Sequence, residues 1–302
     1  MIEKYYSGVI EQIYNRIGKE TRNIVMANYS NDFSIENLEV IRRYQSNEDN
    51  VFFAYSEFSY NTLVGAYEPF LDIICNMHRR FIGGSFDDFQ KECGVYYLHR
   101  QVLNSYYETG ECFREETVLL NEVAYEQRRM TMAIADMLKR LSEVRPLMIV
   151  INRFQMASKS SIETIKYLID NPCANIGIVL GVNAIVKGAD STVEVWDRIV
   201  ESLEDRSAIY YIGSAGPLKN NIKTTNDDEL YITMNFEQSI QEASNIMEFL
   251  DYEQARRGCR IIEHKIKFEN AWIDEKSLRR FYLVYALSLI HISEPTRQEA
   301  IS

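Results

Sequence analysis

Five cysteines in 302 residues, an odd number with no Cys-x-x-Cys among them, argue against both a disulfide framework and a zinc site. Cys75, Cys93, Cys112, Cys173 and Cys259 are scattered, as the reduced thiols of a cytoplasmic protein are. Long apolar runs are also missing. None approaches the ~20 residues that a membrane span requires, and the N-terminal MIEKYYSGVI has no basic region leading into an apolar one. A soluble chain with cytoplasmic localisation and no membrane partner is expected. Clustered positive charge is absent as well. The net charge is -11 and the Lys and Arg residues are dispersed, so no basic stripe tracks a phosphate backbone, and nucleic acid is not expected as a partner of this segment. His78, His99 and His264 lie far apart with no nucleophile motif beside them, and the pairs Asp87-Asp88 and Asp227-Asp228 fit no calcium loop. These patterns assign no metal ligand and no catalytic residue.

What the chain has is ordinary globular composition, 46% hydrophobic and 25% charged, enough for one large domain or two smaller ones. Its organising stretch is Arg145 to Leu168. The run Leu147-Met148-Ile149-Val150-Ile151 is too continuous for a half-exposed strand and reads as a fully buried strand of a parallel sheet. A helix follows, with Ser160 or Ser161 placed to cap it and Ile162, Ile165, Leu168 and Ile169 on one face. Polar Asn152-Arg153 stands at the carboxyl end of the strand, where open α/β sheets collect their ligands.

Four further strand signals are Asn23–Ala27, Val51–Ser56, Ile176–Val182 and Ala208–Ile212. Helical spacing marks Ile2–Ile17, Ser34–Tyr44, Phe70–Met77 and Leu119–Leu141, while the glycine-broken Arg79–Cys112 reads as short helices on one edge. The alternation implies an α/β fold over residues 1–217: a doubly wound, mostly parallel five-stranded sheet with helices on both faces. Residues 218–229 read as a polar linker. Residues 230–286 read as the start of an all-α region, helical over Phe236–Leu250 and Leu278–Ala286.

From Ile10 to Ile212 this arrangement resembles the STAND branch of the AAA-like P-loop ATPases. These are large bacterial signalling and transcription proteins in which an ATPase precedes a helical lid and tetratricopeptide-type repeats. Three places carry the resemblance. Tyr67-Glu68-Pro69-Phe70 is similar to the aromatic-proline entry to the helix after the second strand. The Arg145–Ser158 stretch, with its Phe154-Gln155-Met156-Ala157-Ser158, is similar to the Walker B strand and the segment after it. Asn175–Asn183 is similar to the sensor strand, which puts Asn183 at the sensor position.

The motifs that such a family needs are degenerate here. A P-loop requires glycines that let backbone N–H groups wrap the phosphates, a lysine for their charge and a hydroxyl on magnesium. The matching octet is Ala27-Asn28-Tyr29-Ser30-Asn31-Asp32-Phe33-Ser34, of which only Ser34 fits. Phe33 replaces the lysine, and Asp32 adds negative charge where a triphosphate would lie. At the Walker B end Asn152 and Arg153 replace the acids, and Ser158 replaces the later one.

The resemblance therefore implies a non-catalytic or weakly nucleotide-binding regulatory or scaffold domain of P-loop NTPase type, with no ATP or magnesium as cofactor. The alternative is an ATPase that binds and slowly hydrolyses ATP, with Ser34, Asn152, Arg153 and Asn183 as the nucleotide-contacting residues. Taken singly, Ser34 reads as a helix N-cap and Asn152-Arg153 as a polar strand end. Finally, Leu287–Arg297, LSLIHISEPTR, resembles the in-frame translation of a transposase sequencing adapter, with Gln298–Ser302 as its continuation. Residues 287–302 are accordingly expected to be an artefact, and residues 1–286 the N-terminal part of a longer protein. The partners expected are its other domains and proteins bound through helical repeats.

Overall fold

The computed structural model describes residues 2–29, 35, 38–46, 50–59, 63–114, 122–183, 186–187, 193–213, 223–224, 236–268 and 274–299. Five strands build the main sheet: β1 (Ile24–Tyr29), β2 (Phe52–Glu57), β3 (Leu147–Asn152), β4 (Ile176–Asn183) and β6 (Ile209–Ile212). Their order is β2-β3-β4-β1-β6 and every pairing is parallel. Two short pieces, β5 (Val186–Lys187) and β7 (Lys223–Thr224), pair separately. The sheet is thus all-parallel over its five strands.

The two faces follow from the direction of each crossover. The step from β1 to β2 travels one way across the sheet and each later step travels the other. Right-handed crossovers then place helices on opposite faces. On one face lie α1 (Ile2–Arg16) and α2 (Glu39–Ser46), whose Tyr6, Ile10, Ile13, Ile41 and Tyr44 pack on Met148, Val150 and Val179. The other face carries α3 (Phe70–Met77), α6 (Val123–Val144), α7 (Lys159–Asp170) and α8 (Val193–Glu204), packed on Leu147, Ile149, Ile151, Ile178 and Leu180. A five-residue π-helix, His78–Ile82, continues α3, and α4 (Phe86–Glu92) and α5 (Tyr97–Thr109) follow it at that side.

Being covered twice, β3 and β4 are buried at every residue, which is why their sequences run apolar without alternation. Truncating a fully buried member such as Ile149 would cost about 2–5 kcal/mol through lost transfer energy and the cavity left behind. Helix α1 lies directly over β4. Gly177 makes room for it, since a Cβ there would stand 2.9 Å from Ile17 and 3.0 Å from Ile13.

The helical region α9 (Phe236–Glu248), α10 (Tyr252–Phe268) and α11 (Glu275–Glu299) shares the larger core through Ile240, Ala243, Ile246, Cys259, Ile262 and Phe281. Several local expectations shift. The cap of α7 is Ser158, whose Oγ accepts the Ser161 N–H at 3.4 Å, in place of Ser160 or Ser161. Those two serines are engaged with the preceding loop: the Tyr67 N–H donates to Ser160 Oγ at 3.0 Å, and Ser161 Oγ donates to the Glu68 carbonyl at 2.7 Å. Helix α2 starts at Glu39 instead of Ser34. The 17-residue α10 went unread in the sequence, because its buried Ala255, Cys259 and Ile262 are diluted among charges.

Candidate functional site

The carboxyl edge of the sheet at β1 is where crossovers leave toward opposite faces, the position at which such sheets hold ligands. The ends of all five strands line up there. Tyr29 pairs in register with Asn183 on one side and Ile212 on the other, and Glu57 stands opposite Asn152. Asn28, Tyr29, Asn152 and Asn183 are all buried. Of the octet Ala27–Ser34, the residues Ala27-Asn28-Tyr29 belong to the β1 ladder with β4 and β6.

Two tyrosines, Tyr6 and Tyr29, come together with Asn152 at this edge. Tyr29 Oη donates to Asn152 Oδ1 at 2.6 Å, and its ring meets that of Tyr6 edge-on at 6.4 Å between centroids. Tyr6, brought in by α1, is fully buried. Gly181 lies beneath both groups: a Cβ there would stand 2.4 Å from Tyr6 Oη and 2.9 Å from Asn152 Oδ1. No larger residue fits under that convergence without displacing it. Burial, followed by the neighbouring Tyr29, Tyr55 and Glu57, raises the Tyr6 phenol well above its ordinary value, so it stays neutral.

Arg153 leaves this cluster. Its backbone adopts a left-handed conformation at φ 54°, which ends β3 and turns the chain into the short helix Phe154–Met156. Its guanidinium pairs with Glu57 at 2.9 Å and donates to the Phe58 carbonyl at 3.4 Å, while Tyr55 Oη donates to the same Glu57 carboxylate. The Arg153 charge at this edge is thus neutralised in place. A phosphate held here would have to break that pair.

Of the residues singled out from the sequence, Asn152 and Asn183 come to the same edge on adjacent strands, both buried. Arg153 is turned toward β2, and Ser34 lies outside the described residues. Gln155 accepts the Asn183 N–H at 3.3 Å and so fixes the end of β4. Sequence reasoning missed Glu57, Tyr6, Tyr29 and Gly181. Glu57 carried a signal, a lone acid closing an apolar strand, whereas Tyr6 reads only as one more apolar position of α1. Among the described residues no group of three or more His, Cys, Asp or Glu is arranged to hold a metal ion.

No family model matches the chain, and no curated protein matches it. Fold and site together define a doubly wound α/β domain with an attached helical region and buried polar side chains at the carboxyl edge of its sheet. No helix among the described residues is long and apolar enough to cross a membrane.

Proposed function

We propose that this chain is a regulatory or scaffold module built on a P-loop ATPase-like domain, in which side-chain packing has taken over the place of the nucleotide. The observation that carries the reading is the buried hydrogen bond from Tyr29 Oη to Asn152 Oδ1. An oxygen at the end of the Walker B-like strand has to face a metal ion for phosphoryl transfer, and here it accepts from a phenol under a fully buried ring. The Arg153–Glu57 pair supports the same reading, because it withdraws the positive charge a triphosphate would need. By resemblance, such a domain belongs to a multidomain bacterial signalling protein, relaying the state of one neighbour to another through its helical region.

Titration calorimetry with Mg-ATP tests this directly. No heat of binding is expected up to about 1 mM nucleotide, equivalent to less than ~4 kcal/mol of affinity. Micromolar binding that is lost on Asn152→Ala or Ser34→Ala would replace this reading with that of a slow ATPase using substitute residues.

A further inference from the structure

The helical region sits on the sheet domain along one seam. Asn245 of α9 accepts the Cys112 N–H at 3.0 Å and donates to the Gly110 carbonyl at 3.0 Å. Gln254 of α10 donates to the Val64 carbonyl at 3.0 Å, and the Phe249 ring meets Tyr67 at 5.6 Å and Tyr106 at 6.3 Å. Within this otherwise complementary seam three carboxyl groups crowd together: Glu242 from α9, Glu68 from the loop before α3, and Asp72 from the first turn of α3. A Cβ at Gly65 would stand 2.7 Å from Glu242 Oε1 and 3.4 Å from Glu68 Oε2, so both acids converge on one glycine. Glu68 already accepts the Gly65 N–H at 2.9 Å, and Asp72 accepts from Tyr106 Oη at 2.9 Å.

The groups that act on Glu242 are the carboxylates of Glu68 and Asp72; the phenol of Tyr106 on α5 and the thiol of Cys112 in the loop after it also face Glu242. None of these four is a cation. Two ionised carboxylates packed on Gly65 would repel each other in a partly dehydrated seam, whereas one protonated acid removes the repulsion. We propose that the seam is a proton-operated latch: α9 stays seated beside Glu68 while Glu242 keeps its proton, and ionisation of Glu242 loosens α9 and α10 from the sheet domain. This goes beyond the nucleotide reading and does not depend on it.

Burial, then Glu68 and Asp72, push the Glu242 carboxyl up from 4.5 to about 7. Glu163, Glu248 and Asp251 flank the same seam and are raised by burial as well, with Lys159 and Arg114 opposing. The seated value lies above the unseated one. The proton-linked stabilisation of the seated state is therefore complete below about pH 4.5 and is lost as pH rises through about 7.

Hydrogen exchange on the full chain, corrected for intrinsic rates, measures the latch. Between about pH 5 and about pH 7, protection of α9 and α10 amides should fall on the order of 30-fold relative to β3 and β4, since one proton changes the opening constant by at most about tenfold per pH unit. Glu242→Gln should flatten that dependence. Glu68→Gln, which removes one repelling neighbour, should reduce it and serves as the test if the first variant does not fold. A pH-independent α9 in the wild type, or an undiminished dependence in either folded variant, overturns the proposal.

Discussion

Replacing Asn152 by Asp supplies the acid that a Walker B strand would carry, and the proposed packing of this edge expects it to damage the protein without creating a metal site. Asn152 is fully buried and already accepts from Tyr29 Oη at 2.6 Å. A carboxylate there would lose its hydration and keep the Tyr29 phenol as a donor. Fully buried carboxyls have their pKa raised by up to ~3–5 units, and a good donor to the ionised form returns part of that. A net rise of about 2 units corresponds to about 2.7 kcal/mol.

The sign follows from linkage. The folded variant would hold its proton more tightly than the unfolded chain. Its penalty would thus be absent below about pH 4, grow between about pH 4 and 6, and stay level above that. With a urea slope of about 3 kcal/mol/M, the midpoint should drop by about 1 M at pH 7 and by little at about pH 4. Urea unfolding of Asn152→Asp beside the wild type across that range is the assay. An Asp variant as stable as the wild type at pH 7, and able to hydrolyse Mg-ATP, would refute the argument, because the strand end would then be open to metal.

Two further expectations come from other parts of the core. His99 sits with Nε2 at 2.8 Å from the Glu126 carboxylate without a hydrogen bond between them, and burial, then Arg114 and Arg129, hold it down to about 3. Its folded value lies below the unfolded ~6.5, so its contribution is complete above about pH 6.5 and is lost as pH falls toward 3. His99→Gln should flatten the acid limb of a plot of denaturation midpoint against pH, and parallel limbs for the two proteins would contradict this. The thiols of Cys75 and Cys259 are pushed up to about 12 by burial, and that of Cys112 is raised further. All three should resist an aromatic disulfide reagent in the native protein and react at once in denaturant. Rapid native reaction at any of them would mean that its part of the core opens readily.

The elements themselves were legible because burial on both faces writes itself into sequence as continuous apolar runs. Leu147–Ile151 and Ile176–Val182 could be read directly as strands, and Phe70–Met77 could be read to its ends as a helix. Reading was poorest where local chemistry offers equal alternatives. Three serines near the start of α7 could each cap it, and the choice fell to Ser158 because Ser160 and Ser161 bond the Tyr67-Glu68 backbone, far away in sequence. Helix α10 shows the opposite failure: its spacing is helical, but Ala and Cys are weak apolar signals among arginines and glutamates.

Sequence alone determined the inventory: parallel-type strands, the helices between them, scattered thiols, and a strand end at Asn152-Arg153 without acids. Tertiary structure alone decided the neighbours. Insertion of β4 between β3 and β1 placed Gly181 beneath Asn152, and the packing of α1 over β4 carried the Tyr6 hydroxyl to the same point. Only strand order paired Arg153 with Glu57, 96 positions earlier in the chain, and only the seating of α9 set Glu242 against Glu68. Strand and helix propensities act over a few residues, whereas these pairings depend on which elements lie side by side, and that is settled by the packing of the whole core.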